Sequence, residues 1–153
     1  MNSCSQVGQY VDGCTSATCT AGYYCPNPTS GRIMCPSCSY QDQTGQTSYK
    51  DCPPGQKCTD NPPVTPVNCN AGYYSLLGEA TCSKCPEEYY STAGSASCSQ
   101  CPAGKYCFNG THHLATPLHC PPGTYSPLGV STCLICLYGL TAALLTPCAS
   151  FHK

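Results

Sequence analysis

The chain has 153 residues, among them eighteen cysteines, six basic and seven acidic residues, and no tryptophan. A near-neutral chain lacks the clustered Lys and Arg on which binding to nucleic acid or anionic lipid rests, so neither partner is expected. Cysteine at this density defines a disulfide scaffold, and such scaffolds persist in oxidising compartments, so the protein is expected to be secreted or displayed at a cell surface.

Residues 1–18 form a lead-in carrying Cys4 and Cys14. The opening MNSCSQVGQYVDGC has no apolar stretch of the signal-peptide kind, so with oxidised cysteines the expectation is either a signal upstream or a chain that is a fragment of a longer one. Residues 19–51 read as a degenerate cysteine-rich module, CTAGYYCPNPTSGRIMCPSC followed by the polar loop SYQDQTGQTSYKD. From Cys52 the register is regular. Cys52, Cys58, Cys69, Cys82, Cys85 and Cys98 mark one six-cysteine repeat, residues 52–100. Cys101, Cys107, Cys120, Cys133, Cys136 and Cys148 mark the next, residues 101–148, and 149–153 is a tail. Matching members lie 49 to 51 residues apart, which indicates a tandem duplication.

The shortest unit is Cys, twelve residues, Cys, two residues, Cys. It holds a Tyr-Ser pair and then a glycine (Gly78, Gly94, Gly129) about four residues before its second cysteine. Glycine permits positive φ, so this pattern predicts a small two-stranded ribbon closed by a tight turn. Residues 59–68, TDNPPVTPVN, are proline-rich and predicted to be extended. Aliphatic residues are too few to offset ordering entropy by burial, so cross-links must supply the difference. Closing a loop of about 13 residues contributes roughly 2–4 kcal/mol. The predicted fold is small and disulfide-rich: elongated tandem cysteine-rich modules with little regular secondary structure and short β-ribbons.

The segment 134–145, LICLYGLTAALL, holds five of the ten leucines and is too short to span a bilayer. Two readings stand: it packs on its own module, or it is an exposed apolar patch that docks on another subunit. Leu134, Leu137, Leu140, Leu144 and Leu145 are the candidate interface.

The phrases CPAGKYC, CNAGYYSLLGEATCSKCP and CPPGTYSPLGVSTCLIC resemble the ephrin-receptor-like cysteine-rich repeat, a relative of tumour-necrosis-factor-receptor modules and of cysteine-rich surface antigens of ciliates. The resemblance covers roughly residues 19–136. It implies an elongated, disulfide-laddered rod without catalysis. After Cys136 the chain departs from the pattern, since CLYGLTAALLTPC lacks the Pro-x-Gly-Tyr phrase.

Two pairing schemes use all eighteen cysteines. One pairs neighbours in order. The other, preferred because crossed bridges tie a coreless module more tightly, crosses wherever Cys-x5-Cys opens a module. It joins Cys19–Cys35, Cys25–Cys38, Cys52–Cys69, Cys58–Cys82, Cys101–Cys120 and Cys107–Cys133. Cys4–Cys14, Cys85–Cys98 and Cys136–Cys148 then close simple loops. A zinc reading of Cys82, Cys85, Cys98 and Cys101 conflicts with the overlapping recurrence of the Cys-x-x-Cys phrase, which leaves cysteines outside any tetrad. A thioredoxin-like role lacks a surrounding βαβ pattern. His112, His113 and His119 have no carboxylate within ten residues and read as loop residues. No metal or other cofactor is expected.

Asn109-Gly110-Thr111 is an N-glycosylation sequon, so Asn109 is the expected glycan site. Tyr24, Tyr74, Tyr106 and Tyr125 each follow a glycine by two residues and are expected to cover a disulfide or the next module. The function expected from all this is non-enzymatic: an extracellular structural subunit of a coat, matrix or fibre that self-associates into a homo-oligomer or filament. The competing reading is a ligand-binding ectodomain fragment of a receptor.

Overall fold

A computed structural model describes residues 8–12, 15–108, 113–130 and 132–136. Among these the only regular elements are short antiparallel ribbons, eight in number, each of two strands. β1 (Gln9–Asp12) pairs β2 (Thr15–Thr18). β3 (Tyr23–Tyr24) pairs β4 (Ile33–Met34), and β5 (Ser39–Tyr40) pairs β6 (Lys50–Asp51). β7 (Gln56–Lys57) pairs β8 (Val67–Asn68), and β9 (Tyr73–Tyr74) pairs β10 (Ser83–Lys84). β11 (Tyr89–Tyr90) pairs β12 (Ser99–Gln100). β13 (Lys105–Phe108) pairs β14 (His113–His119) with a register break between Tyr106 and Phe108, and β15 (Thr124–Tyr125) pairs β16 (Leu134–Ile135).

Seven of the ribbons are built on one local plan. A four-residue turn precedes the first strand, closed by an N–H···O=C bond of 3.0–3.3 Å: Thr20 to Tyr23, Pro36 to Ser39, Pro53 to Gln56, Asn70 to Tyr73, Pro86 to Tyr89, Pro102 to Lys105 and Pro121 to Thr124. The third residue of each turn has positive φ, the signature of a type II turn. Five turns place glycine there, and two place Cys38 and Glu88, both at φ 72°. The cysteine after each return strand donates its N–H back to the carbonyl of that same turn residue, at 2.8–3.0 Å, from Cys35 to Gly22 through Cys136 to Gly123.

Contacts divide the chain into two units, residues 1–69 with 75–82, and residues 70–74 with 83–153. In the first, the Gly22 N–H donates to the Gln41 carbonyl and the Gly55 N–H to the Ser75 carbonyl (2.7 and 2.8 Å). Gly45 and Gly78 return bonds to the Cys19 and Cys52 carbonyls. In the second, Gly72 donates to Ser91 and Gly104 to Ser126, while Gly129 returns a bond to Cys101. Successive loops inside each unit are thus tied by backbone hydrogen bonds.

The interior is made of sulfur and hydroxyl. The buried apolar side chains among the described residues are nine cysteines (Cys19, Cys25, Cys35, Cys52, Cys58, Cys69, Cys85, Cys101, Cys107) and Pro63. The buried polar ones are Ser39, Gln41, Ser75, Ser91 and Ser126. None of the described buried side-chain polar atoms lacks a partner. Ser75 Oγ donates to the Gln56 carbonyl at 2.7 Å and lies 3.5 Å from Cys69 Sγ. Ser91 Oγ does the same with the Tyr73 carbonyl and Cys85 Sγ.

The bridges are Cys19–Cys25, Cys52–Cys58, Cys69–Cys82, Cys85–Cys98, Cys101–Cys107 and Cys120–Cys133. The crossed pairs Cys19–Cys35, Cys25–Cys38, Cys52–Cys69, Cys58–Cys82, Cys101–Cys120 and Cys107–Cys133 are therefore corrected. The type II turn reverses the chain within six residues and brings the Cys-x5-Cys Cα atoms to 5.9–6.0 Å, inside the bridging range. Crossed covalent ties are not needed, because backbone bonds already join one loop to the next. Cys85–Cys98 closes a simple loop in both schemes and is bridged here. Cys4, Cys14 and Cys148 lie outside the described residues, and Cys136 is disulfide-bonded.

The proline-rich stretch 59–68 does not stand clear of its unit. The Pro63 carbonyl accepts the Gln41 N–H at 3.1 Å, and the Pro62 ring lies against Gly22. A Cβ on Gly22 would meet Pro62 Cβ at 2.5 Å, whereas one on Gly123 would meet nothing within 4 Å. Both glycines have φ near +80°. Gly123→Ala should therefore cost only the left-handed backbone term, about 1–2 kcal/mol, and Gly22→Ala clearly more, on the order of 3 kcal/mol. Paired thermal melts check the difference, and equal losses would refute the contact.

Candidate functional site

The loop from Cys35 to Cys52 departs from its sister loops, and the structure shows how. In the loop from Cys85 to Cys101, Tyr90 pairs Ser99 and Cys98 closes the bridge. In this one Tyr40 pairs Lys50, so Tyr49 stands where the closing cysteine belongs. Cys35 occupies the position of Cys69 and Cys85 but has no partner, and Cys38 occupies the left-handed turn position. Both are free thiols. Cys35 is 3% exposed and Cys38 half-buried. Burial pushes the Cys35 thiol above its ordinary range, partly offset by a hydrogen bond from its own backbone.

Polar contacts replace the missing bridge. Gln41, at the slot of Ser75 and Ser91, donates from Nε2 to the Ser48 carbonyl at 2.7 Å and accepts the Gln43 N–H at 3.1 Å. The Tyr49 ring meets Tyr24 edge to face at 5.1 Å. Lys50 Nζ lies 2.6 Å from Asp42 Oδ1 on the surface and 5.6 Å from the Tyr40 ring. The hydrogen bond to Lys50 holds the Asp42 carboxyl below its usual range, and the same bond holds the Lys50 ammonium above its own. The depressed carboxyl contributes stability above its unfolded pKa, lost as pH falls through its folded value. The raised ammonium contributes below its unfolded pKa, lost as pH rises through its folded value. The pair is thus complete across the neutral range. In Lys50→Ala, the Asp42 carboxyl should titrate at higher pH, which NMR titration reads, and an unmoved titration would refute the coupling.

Apolar side chains point outward instead of inward. In the first unit Leu76 and Leu77 are 54% and 66% exposed at a ribbon tip, where Glu79 accepts the Leu76 N–H at 2.8 Å. In the second unit Leu128 holds the equivalent tip position at 66%. Leu134 and Ile135 of β16 are 42% and 73% exposed. Of the predicted interface, Leu134 is thus exposed, while Leu137, Leu140, Leu144 and Leu145 lie outside the described residues, as does Asn109. The tip leucines were missed because they read as turn filler. The signal was their recurrence beside the turn glycine, in YSLLG and YSPLG. Tyr24, Tyr74, Tyr106 and Tyr125 are all half-buried.

Cys82, Cys85, Cys98 and Cys101 are each consumed by a bridge, so the zinc tetrad is not available as thiolates. No group of described His, Cys, Asp or Glu side chains is arranged to hold a metal. No described helix is long and apolar enough to cross a membrane. The chain matches no protein-family model, and no curated protein matches it significantly. What the fold establishes is a small disulfide-rich protein with the hairpin-and-bridge pattern of a cysteine-rich repeat, a kind typical of oxidising environments.

If Tyr49 marks the lost cysteine, Tyr49→Cys should restore the bridge to Cys35. The variant should gain about 3 kcal/mol in denaturant unfolding. Cys38 should then remain the one alkylatable thiol of this loop. Two or more free thiols in the loop would refute the register.

Proposed function

We propose that the chain is a non-enzymatic, extracellular structural subunit that assembles with further copies of itself into a coat, matrix or fibre. The observation that carries this reading is the inversion of the usual packing: sulfur fills the interior, while leucines and Ile135 stand at exposed tips and edges. Exposed apolar groups recurring along an array favour lateral contact with another array. A net charge of −1 offers little repulsion against such contact. The resemblance to ephrin-receptor-like repeats supports a tandem extracellular array, and the sequon Asn109-Gly110-Thr111 supports Asn109 as a glycan site. The resemblance also supports the alternative, a ligand-binding ectodomain fragment of a receptor.

Light scattering and negative-stain microscopy separate the two. Self-assembly should appear as concentration-dependent large species or filaments. Leu128→Asp with Ile135→Asp should weaken it at least roughly tenfold, since each substitution removes an apolar group worth about 1.5–3 kcal/mol when buried. A monomer at every accessible concentration overturns the structural reading and favours the receptor fragment.

A further inference from the structure

Four Cys-x-x-Cys phrases occur in the chain, at Cys35, Cys82, Cys98 and Cys133. In three of them both sulfurs are committed outward to other cysteines, or bonded in the case of Cys136. Cys35 and Cys38 are the only described cysteines left as thiols. The fold of their loop does not require them. Gln41, Tyr49 and the Asp42–Lys50 pair hold that loop without a bridge. At Cys38, moreover, the backbone conformation is one that five sister turns assign to glycine. A side chain there is disfavoured by about 1–2 kcal/mol. Glu88 shows that the fold tolerates one, but the turn gives no reason for a thiol.

We infer that Cys35 and Cys38 form a thiol–disulfide exchange site for low-molecular-weight disulfides of the glutathione type, with Cys38 attacking and Cys35 resolving. The two positions divide the work by access. Cys38 is half-buried on a turn and can be reached, whereas Cys35, three residues before it, is 3% exposed. Burial also disfavours the Cys35 thiolate, so Cys38 supplies the nucleophile first.

The Cys38 thiolate attacks one sulfur of the small disulfide. A Cys38–S–S–R bond forms, the R–S–S–R bond breaks, and one thiolate leaves. Cys35, losing its proton to solvent, then attacks Cys38 Sγ. The Cys35–Cys38 bond forms and the second thiolate leaves. The two thiols lose two electrons and two protons, and the small disulfide becomes two thiols. No thioredoxin fold is needed, because the site is a substrate of exchange and not a catalyst. It is independent of the structural reading above.

The sequence makes the test direct. Trypsin cuts after Arg32 and Lys50, and the peptide 33–50 contains both cysteines and no other. The native protein is incubated with glutathione disulfide, quenched with acid, and digested without reduction. The peptide should appear lighter by two hydrogens. Cys35→Ala should stop at a stable glutathionyl adduct on Cys38. Cys38→Gly, which gives the turn its usual residue and should fold, should leave Cys35 modified at least about tenfold more slowly than Cys38 in the parent. Two free thiols persisting in peptide 33–50 would overturn the inference. So would a bridge from this peptide to another peptide or chain, or modification of Cys35 before Cys38.

Discussion

The type II turn at the head of seven of the eight ribbons is the constraint on which the rest depends. It does three things with one residue. Its positive φ reverses the chain so that a Cys-x5-Cys pair can bridge over 5.9–6.0 Å. Its carbonyl receives the N–H of the cysteine that ends the ribbon. At Gly22, Gly55, Gly72 and Gly104 its own N–H is presented to a carbonyl of the following loop, as from Gly55 to Ser75 and from Gly104 to Ser126. A two-residue strand pair is far too short to be stable alone. Here the turn before the first strand and the cysteine after the second are joined by that N–H···O=C bond, which fastens the open end of each of the seven pairs.

This arrangement explains why serine, and not leucine, is buried. Beside Cys69 Sγ and Cys85 Sγ lies a slot that also holds a backbone carbonyl to be satisfied. A hydroxyl fills it and donates, as Ser75 does to Gln56 and Ser91 to Tyr73. Gln41 takes the same slot in the loop without a closing cysteine, where its longer amide can reach across to Ser48. The substitution of serine by glutamine and of cysteine by tyrosine are therefore two parts of one local change. Leucines are left outside, at the tips (Leu76, Leu77, Leu128) and on strands (Leu118, Leu134).

Much of this was legible in the residues. Cysteine spacing and the glycine positions indicated two-stranded ribbons and tight turns, and Gly78, Gly94 and Gly129 do adopt positive φ. The pairing was not legible, because spacing alone does not say what joins one loop to the next. Crossed bridges follow only if sulfur must do it, and backbone amides do it instead. The register of the first module was hidden by one inserted residue between Cys35 and Cys52 and by the absent cysteine at Tyr49. Only the Tyr40–Lys50 pairing exposes it. The tip leucines were obscured by the richer leucine cluster after Cys133.

The sulfur-and-hydroxyl interior also sets how the protein responds to heat. The heat-capacity change of unfolding comes mainly from newly wetted apolar surface. A chain in which Leu76, Leu77, Leu118, Leu128 and Leu134 are already exposed, and whose buried half-cystines stay linked when it unfolds, has little such surface left to wet. Its stability curve is correspondingly flat, with neither a sharp thermal optimum nor pronounced weakening in the cold. Warming acts on it gently. A change in the thiol balance of its surroundings acts on the interior itself.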